Sequence, residues 1–343
     1  MQKKIIALAI AAAFAAPVSA MAAAELYGSI DAGYVSSDAN GTKTTGMSSG
    51  VYSSNNWGFK GSDDLGDGMK ATFQFENGFN TASGTASALF DRGIAVGISA
   101  GWGAVVLGGN QYTTAFKTNK SWDPLGYKFI TTTGMGTFAA GTVVPAVGTV
   151  AAYTNGRNDN DVAYTGKFGD VTVMAATTLQ TKTDGAAQTG DERSVGAVYQ
   201  ADGITLAASY TTKAFDKAVT TGADVAGTKT TNTSIGAAYK MGDLTVNAGL
   251  ISSGNEVANS DSTDTTVIGA SYAVSDKIGV AVAMYSTETG ARADSDKLLI
   301  GATYALSKKT NLYAAYATNE TQAAAGAAKV ETKTMAAGLA VAF

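Results

Sequence analysis

The feature that most constrains the fold is a two-residue alternation of apolar and polar side chains that recurs over most of the chain. It is clearest in residues 69–76, where Met, Ala, Phe and Phe alternate with Lys, Thr, Gln and Glu. Successive side chains of a β-strand point to opposite faces, so this pattern predicts strands with one apolar and one polar face. Turn-forming residues, such as those of 61–68, separate the runs. The pattern predicts an all-β protein.

Two kinds of connection alternate between the predicted strands. The count is about sixteen strands, joined by roughly seven short turns and eight long loops. Short turns lie near 61–68, 100–103, 168–170, 201–203, 241–243, 275–277 and 307–309, and long loops near 37–50, 78–90, 110–158, 181–192, 213–231, 253–263, 288–296 and 319–333. Bacterial outer-membrane barrels have short periplasmic turns and longer extracellular loops. Since lipid offers no hydrogen-bond partner to a free sheet edge, the sheet must close.

The longest stretch without alternation is 110–158, the third of the long loops. It contains Lys117, Lys120, Asp123 and Lys128 among many Gly, Ala and Thr residues. The remainder of the chain predicts a wall. We therefore expect this segment to fill part of the space that the wall encloses.

The N-terminal residues have the three-part form of a secretory signal peptide. Lys3 and Lys4 precede an apolar run over 5–18, and small residues follow over 19–24. A buried N-terminal helix is the alternative. Cleavage after Ala20 and cleavage after positions 22–24 all satisfy the small-residue rule. We expect residues 1–24 to be removed, which leaves a single transmembrane β-barrel domain over 25–343. No other stretch is apolar over the 18 residues that a membrane helix needs.

Composition disfavours several functional classes. The chain has no histidine and no cysteine, which removes the commonest general base and the commonest ligands of transition metals. We expect no catalytic site, no metal and no cofactor, and a hydrolytic barrel enzyme is a disfavoured alternative. Without Lys3 and Lys4, Lys plus Arg falls from 24 to 22 against 28 Asp plus Glu, a net charge of −6. That balance gives no basis for nucleic-acid binding.

A Gly-Ala-x-Tyr unit repeats in the second half of the chain, at 196–199, 236–239, 269–272 and 301–304. Its tyrosines share the phase of the apolar face and stand just before short turns, as an aromatic girdle at a membrane interface does. Packing in the core of a soluble sandwich or propeller is the alternative. The opposite faces hold mostly Gly, Ala, Ser and Thr, which suits a soluble exterior poorly. The predicted girdle residues are Tyr199, Tyr239, Tyr272 and Tyr304.

Several segments resemble the Gram-negative trimeric general porins. They are LYGSIDAG (26–33), WGFKGSDDLGDGMKA (57–71), FENGF (75–79), GATYALSKKTNLY (301–313) and the terminal Phe343. The resemblance implies a 16-stranded antiparallel transmembrane β-barrel in a homotrimer, located in the outer membrane of a Gram-negative bacterium. It also implies that the third extracellular loop, here 110–158, folds into the lumen. Phe343 would be the signal that the outer-membrane barrel assembly machinery reads.

The resemblance also implies a charged constriction, in which basic wall residues face acidic residues of the third loop. Here the loop carries Lys117, Lys120 and Lys128 against one carboxylate, Asp123, between residues 110 and 155. The usual arrangement is therefore weak or partly inverted. These four residues are the predicted constriction residues on the loop.

The wall departs from the family pattern as well. Only Arg92 stands at a family arginine position, and strict alternation places it in phase with Ile94 and Val96, facing lipid. An inward Arg92 therefore requires a bulge or a position beyond the membrane edge. The other candidate wall residues, selected by phase, are Asp31, Lys60, Lys70, Glu76, Asp161 and Lys167.

The resulting functional prediction is a water-filled outer-membrane channel for passive diffusion. Its partners would be outer-membrane lipid and small hydrophilic solutes and ions. A solute-selective channel is one alternative, and a barrel whose surface loops bind host or phage is another. Selectivity would depend on lumen charge and on the width beside the third loop.

Overall fold

The computed structural model describes residues 24–129, 156–179, 191–214, 229–255, 262–289, 294–322 and 327–343. The predicted signal peptide up to residue 23 lies outside the described residues. So do residues 130–155 of the third loop and parts of five later long loops. No helix among the described residues is long and apolar enough to cross a membrane.

Strands dominate the described chain, and one short helix interrupts them. The strands are β1 (Glu25–Ala39), β2 (Thr42–Ser49), β3 (Asn56–Gly66), β4 (Met69–Gly78), β5 (Gly93–Ala100), β6 (Gly103–Gly109), β7 (Gln111–Tyr112), β8 (Arg157–Asn158), β9 (Asp161–Phe168), β10 (Val171–Thr178), β11 (Glu192–Ala201), β12 (Ile204–Ala214), β13 (Lys229–Met241), β14 (Leu244–Asn255), β15 (Thr263–Ala273), β16 (Ile278–Glu288), β17 (Asp294–Ala305), β18 (Thr310–Gln322) and β19 (Lys329–Ala342). The helix, α1, is Thr114–Lys120.

The main sheet closes on itself as an antiparallel barrel. It contains 17 strands, and β1 pairs with β19 from Ser29–Ala342 to Ala39–Thr332. Along its other edge, β1 pairs with β3 through residues 25–29 and with β2 through residues 32–39. β2 and β3 therefore occupy one strand position in the wall. Seventeen strands minus one shared position gives sixteen wall strands. The predicted all-β, 16-stranded barrel is confirmed.

The prediction of a long loop over 37–50 is wrong, because most of this stretch forms strand. β1 and β2 form a hairpin whose two-residue turn, Asn40–Gly41, has φ values of 48° and 88°. Six of the eight residues of β2 are exposed. Both faces of β2 are therefore open over most of its length, and β2 lacks the apolar alternation on which the strand prediction depends. Residues 50–55 then interrupt the wall strand before it continues as β3.

The predicted turn over 61–68 is shorter than expected. β3 continues to Gly66 with a register shift between Asp64 and Gly66. The turn itself is Asp67–Gly68, where both residues have positive φ. Turn-forming residue types in a strand that leaves the membrane explain why the sequence pattern overestimates the turn.

Large apolar side chains cover one face of the barrel wall. Ile235, Leu250 and Ile268, on three adjacent strands, are 59%, 56% and 58% exposed. Their neighbours along the strands, including Ser234 and Val267, are buried on the opposite face. In a closed barrel that exposes apolar residues, the exposed face is the one that suits lipid. The opposite face is called the inner face below.

The four repeat tyrosines occupy one level of the exposed face. All are between 38% and 46% exposed and lie close to the short turns. In the antiparallel register each tyrosine is opposite an aliphatic residue on both neighbouring strands: Tyr199 between Val171 and Leu206, Tyr239 between Ile204 and Val246, Tyr272 between Leu244 and Val280, and Tyr304 between Ile278 and Leu312.

Candidate functional site

Residues 113–129, here called the docked segment, pack against the inner face of the wall. The segment leaves the wall through a short stem in which β7 pairs with β8. Thr113 caps α1, since its hydroxyl accepts a 3.1 Å hydrogen bond from the backbone N–H of Phe116. α1 contacts β10, β11, β12 and β13. The segment therefore crosses several wall strands.

Hydrogen bonds from the wall strands β11, β14 and β16 attach the docked segment to the wall. The Ser194 hydroxyl donates to the Thr114 hydroxyl at 2.8 Å, and the Asn247 amide donates to the Trp122 carbonyl at 2.7 Å. The Tyr285 hydroxyl donates to Asp123 at 3.1 Å. These wall partners come from β11, β14 and β16, so the attachment extends over much of one side of the barrel.

The Asp123 carboxylate accepts hydrogen bonds from the backbone of the docked segment and does not face the open lumen. One carboxylate oxygen accepts 3.0 Å bonds from the backbone N–H groups of Leu125 and Tyr127, and the other accepts from Tyr285. Burial raises the pKa of Asp123, and these hydrogen bonds oppose that rise. The only carboxylate predicted on the loop is thus occupied by folding contacts.

Four basic side chains line a cavity of about 340 Å³ between the docked segment and the opposite wall. Lys120 and Lys128 come from the segment, and Arg92 and Lys309 come from the wall side. No Asp or Glu is among the described residues that line it. The Lys128 ammonium lies 4.8 Å from the centre of the Tyr52 ring. Burial and then the Lys120 charge lower the pKa of Lys128, while Asp31 opposes the shift.

Arg92 turns toward the inner face because the backbone breaks its alternation at Gly93. Gly93 has a φ of 153°, a conformation that residues with a Cβ rarely adopt. The Arg92 Nε atom donates a 2.7 Å bond to Glu76, which is 8% exposed. The irregularity that an inward Arg92 requires is therefore present.

A second arginine reaches the same carboxylate from the returning end of the loop. The Arg157 Nη2 atom lies 3.6 Å from Glu76, and its guanidinium lies 3.7 Å from the centre of the Tyr112 ring. Arg157 also donates a 2.8 Å bond to the Asn110 carbonyl. Tyr27 completes the group by donating to Glu76 at 3.0 Å. Glu76 thus joins the wall to the returning strand of the loop stem, β8.

Asp31 lies beneath the interruption at 50–55 and is fully buried. Its carboxylate accepts 2.6 Å bonds from the backbone N–H groups of Tyr52 and Ser53 and from the Tyr313 hydroxyl. Asn55 and Thr81 bond to its backbone. The sequence selected Asp31 as a wall residue, and the structure places its side chain under the backbone that carries Tyr52.

The remaining predicted residues do not join this cluster. Lys60 pairs with Glu25 at 3.3 Å, with both side chains at least half exposed. Lys70 and Lys167 are exposed near short turns. Asp161 is 2% exposed, and its charge opposes the burial that lowers the pKa of Lys117.

Four residues of the candidate site were not predicted from the sequence: Tyr52, Tyr112, Arg157 and Lys309. Tyr52 lies just after the predicted loop over 37–50, in residues to which the sequence pattern assigned no element, and Lys309 lies in the predicted turn over 307–309. Arg157 is next to the end of the 110–155 range over which loop charge was counted. Counting the charges of the returning strand would have found it, because an arginine at a loop root faces the same wall as the loop's start.

Comparison with known proteins decides the family. A family model described as Gram-negative porin matches residues 7–324. The chain belongs to the Gram-negative porin family. With the closed barrel and its apolar exposed face, membership identifies a multi-pass protein of the bacterial outer membrane. The predicted family is confirmed.

Curated relatives match over part of their length. An outer membrane porin protein of Bordetella pertussis is 36% identical over 163 residues, which cover 42% of this chain and 42% of the relative. Outer membrane porin protein 32 of Delftia acidovorans is 34% identical over 141 residues, covering 40% and 38%. The chain thus spans less than half the length of these curated relatives.

Solved structures match over the whole barrel. An anion-selective porin from Comamonas acidovorans superposes with a TM-score of 0.79 at 20% identity, covering 94% of this chain and 100% of that chain. At this identity the likeness establishes the fold of the barrel.

Proposed function

We propose that this protein forms a water-filled channel through which small hydrophilic solutes and ions diffuse passively across the outer membrane, with a preference for anions. The observation that carries the preference is the cavity lined by Arg92, Lys120, Lys128 and Lys309 without a lining carboxylate. The closed barrel and the porin family support the channel itself. The anion-selective porin with the same fold agrees with the preference.

The third long loop supplies one side of the proposed constriction. The docked segment carries Lys120 and Lys128, and the wall side carries Arg92 and Lys309. In this arrangement a solute passes between cations on both sides. The usual opposition of an acidic loop to a basic wall is replaced by a positive constriction.

The expected selectivity is a preference rather than an exclusion. Two unit charges about 4 Å apart interact by about 1 kcal/mol in water, which corresponds to roughly a fivefold change in an equilibrium. Salt screens charges beyond a Debye length of about 10 Å at 0.1 M. A wet, positively charged constriction therefore favours anions most strongly in dilute salt.

Reversal potentials across a salt gradient test the proposal. We expect the wild-type channel to be more permeable to anions, and Lys120→Glu and Lys128→Glu to shift the reversal potential toward cation preference. Lys43→Glu, on the exposed hairpin strand β2, is a control with the same charge change outside the cavity. If the purified barrel does not conduct, the channel is refuted. If it conducts and all three variants match the wild type, the assigned constriction is refuted.

We further infer that residues up to about Ala24 are removed on export, that the barrel forms a homotrimer and that Phe343 is read during barrel assembly. A solved neighbour from Vibrio cholerae is described as a trimer form. Phe343 bonds to Gly28 through its backbone N–H at 3.0 Å, which places the last residue beside the first strand. Mass spectrometry of the exported protein and its size before and after heating test these inferences.

A further inference from the structure

The repeated Gly-Ala-x-Tyr unit serves both faces of the wall. Its glycine and tyrosine are three positions apart, and strand residues an odd number apart point to opposite faces. Because the tyrosines are exposed on the apolar face, the glycines face inward. They are Gly196 on β11, Gly236 on β13, Gly269 on β15 and Gly301 on β17.

Each inward glycine receives a different residue of the docked segment. A Cβ at Gly196 would lie 2.7 Å from the Thr118 hydroxyl, and other Cβ atoms would meet side chains further along the segment. The order of contacts follows the order of the chain: Gly196 meets Thr118, Gly236 meets Trp122, Gly269 meets Pro124 and Gly301 meets Phe129. The repeat therefore marks the path that the segment takes across the wall.

Trp122 makes the deepest of these contacts. Gly236 and Gly249 are directly opposite in the register of β13 and β14. The three atoms nearest to a Cβ at either glycine all belong to the Trp122 indole, close enough to overlap. Trp122 is fully buried, and Asn247 bonds to its carbonyl. The indole thus occupies space that exists only because two adjacent strands lack side chains there.

We propose that Gly196, Gly236, Gly249, Gly269 and Gly301 form a docking track that holds the third loop close to the wall and so sets the width of the open channel. The proposal rests on the proposed channel function, because it concerns how much of the lumen the loop leaves free. A methyl group on the track would displace the segment toward the cavity that Lys120 and Lys128 line.

Substitutions at Gly236 and Gly249 test the docking of the loop most directly. Gly269 also approaches the Val282 carbonyl at 2.5 Å, so a side chain there would strain the wall as well as the loop. At Gly236 and Gly249 the three atoms nearest to an added Cβ all belong to the Trp122 side chain of the loop. Gly279, on strand β16 of the same sheet, is a matched control, since its Cβ would approach only the Thr303 hydroxyl, at 3.1 Å.

The test compares single-channel conductance and the size limit for neutral sugars in liposome swelling. We expect Gly236→Ala and Gly249→Ala to lower both, and Gly279→Ala to match the wild type. In a Trp122→Ala background, Gly236→Ala should have no further effect, because the side chain that collides with the methyl is gone. A conducting wild type with unchanged Gly236→Ala and Gly249→Ala channels would overturn the track. A wild type that does not conduct would instead refute the channel.

Trp122 fluorescence gives a second readout that does not depend on conductance. With Trp57→Phe and Trp102→Phe, Trp122 is the only tryptophan of the chain. Acrylamide should quench it weakly in the wild-type track and more strongly in Gly236→Ala. Equal quenching in folded, heat-modifiable barrels would show that the indole does not depend on the glycines, and would overturn the proposal.

Discussion

The Tyr313 hydroxyl on β18 donates a 2.6 Å hydrogen bond to Asp31 on β1, across the intervening strand β19. The same carboxylate accepts 2.6 Å bonds from the backbone N–H groups of Tyr52 and Ser53. Tyr52 in turn stacks on Tyr313, with ring centres 5.5 Å apart. One buried carboxylate therefore connects the closing strands of the barrel to the interruption that presents Tyr52 to Lys128.

Asp31→Ala is expected to destabilise the barrel. Alanine has no acceptor oxygen, so the backbone N–H groups of Tyr52 and Ser53 and the Tyr313 hydroxyl would all lose the carboxylate that now accepts from them. Each buried donor left without a partner costs about 1–3 kcal/mol. The midpoint of thermal unfolding in detergent measures the loss. Tyr313→Phe, which removes only one of the three bonds, should lower the midpoint less, and an Asp31→Ala barrel as stable as the wild type would contradict this role.

The strand pattern predicted the wall because the membrane makes the two faces chemically different. Residues 69–76 alternate, since one face meets lipid and the other the interior. The tip of the hairpin and β2 do not alternate in this way, because most of β2 is exposed, and so the sequence pattern predicted a loop over 37–50. The same reasoning explains why β18 and β19 extend well into a region predicted as loop, to Gln322 and from Lys329.

Anion preference is expected to fall at alkaline pH through Lys128. The charged form of a lysine exists below its pKa and is lost as pH rises through it. Because burial and Lys120 lower the pKa of Lys128, its charge should be lost at a lower pH than the value of about 10.4 for a free lysine. Reversal potentials measured from pH 7 to pH 10 should show anion preference falling at a lower pH than an unperturbed lysine would give. Lys128→Arg, which stays charged, should delay it, and identical curves would exclude Lys128 as its source.

A disulfide between the docked segment and the wall should form without altering conductance. The chain has no cysteine, so Thr114→Cys with Ser194→Cys introduces a single possible pair. The two native hydroxyl oxygens lie 2.8 Å apart, and the sulfur atoms that would replace them are about 2.0 Å apart in a disulfide, so a small movement closes the bond. Mass spectrometry under oxidising conditions detects the bond. A pair that stays reduced, or oxidation that changes the conductance, would show that the open channel does not have its third loop docked at this point.

The charged site was predicted less completely than the wall, and for a physical reason. The phase of the alternation assigns each residue to one face of the strand. It does not show which residues distant in sequence will form an ion pair with a given carboxylate. Glu76 was selected by phase, whereas Arg157 reaches it only through the return of the loop, 81 positions later (157 − 76). Its sequence position predicted Asp123 at the constriction. Its carboxylate instead accepts hydrogen bonds from Tyr285 and from the backbone N–H groups of Leu125 and Tyr127, so it stabilises the fold of the docked segment.

Glu76→Gln is expected to raise anion preference and weaken the loop stem. The carboxylate now offsets part of the charge of Arg92 and Arg157, so its removal leaves two guanidinium groups close together beside the cavity. The gain in preference should be largest in dilute salt and shrink as the Debye length falls from about 30 Å at 0.01 M to about 3 Å at 1 M. Asp38→Asn, on the exposed part of the β1–β2 hairpin, is the control for loss of one negative charge. A reversal potential unchanged in Glu76→Gln at every salt concentration would show that this cluster acts only on the structure of the stem.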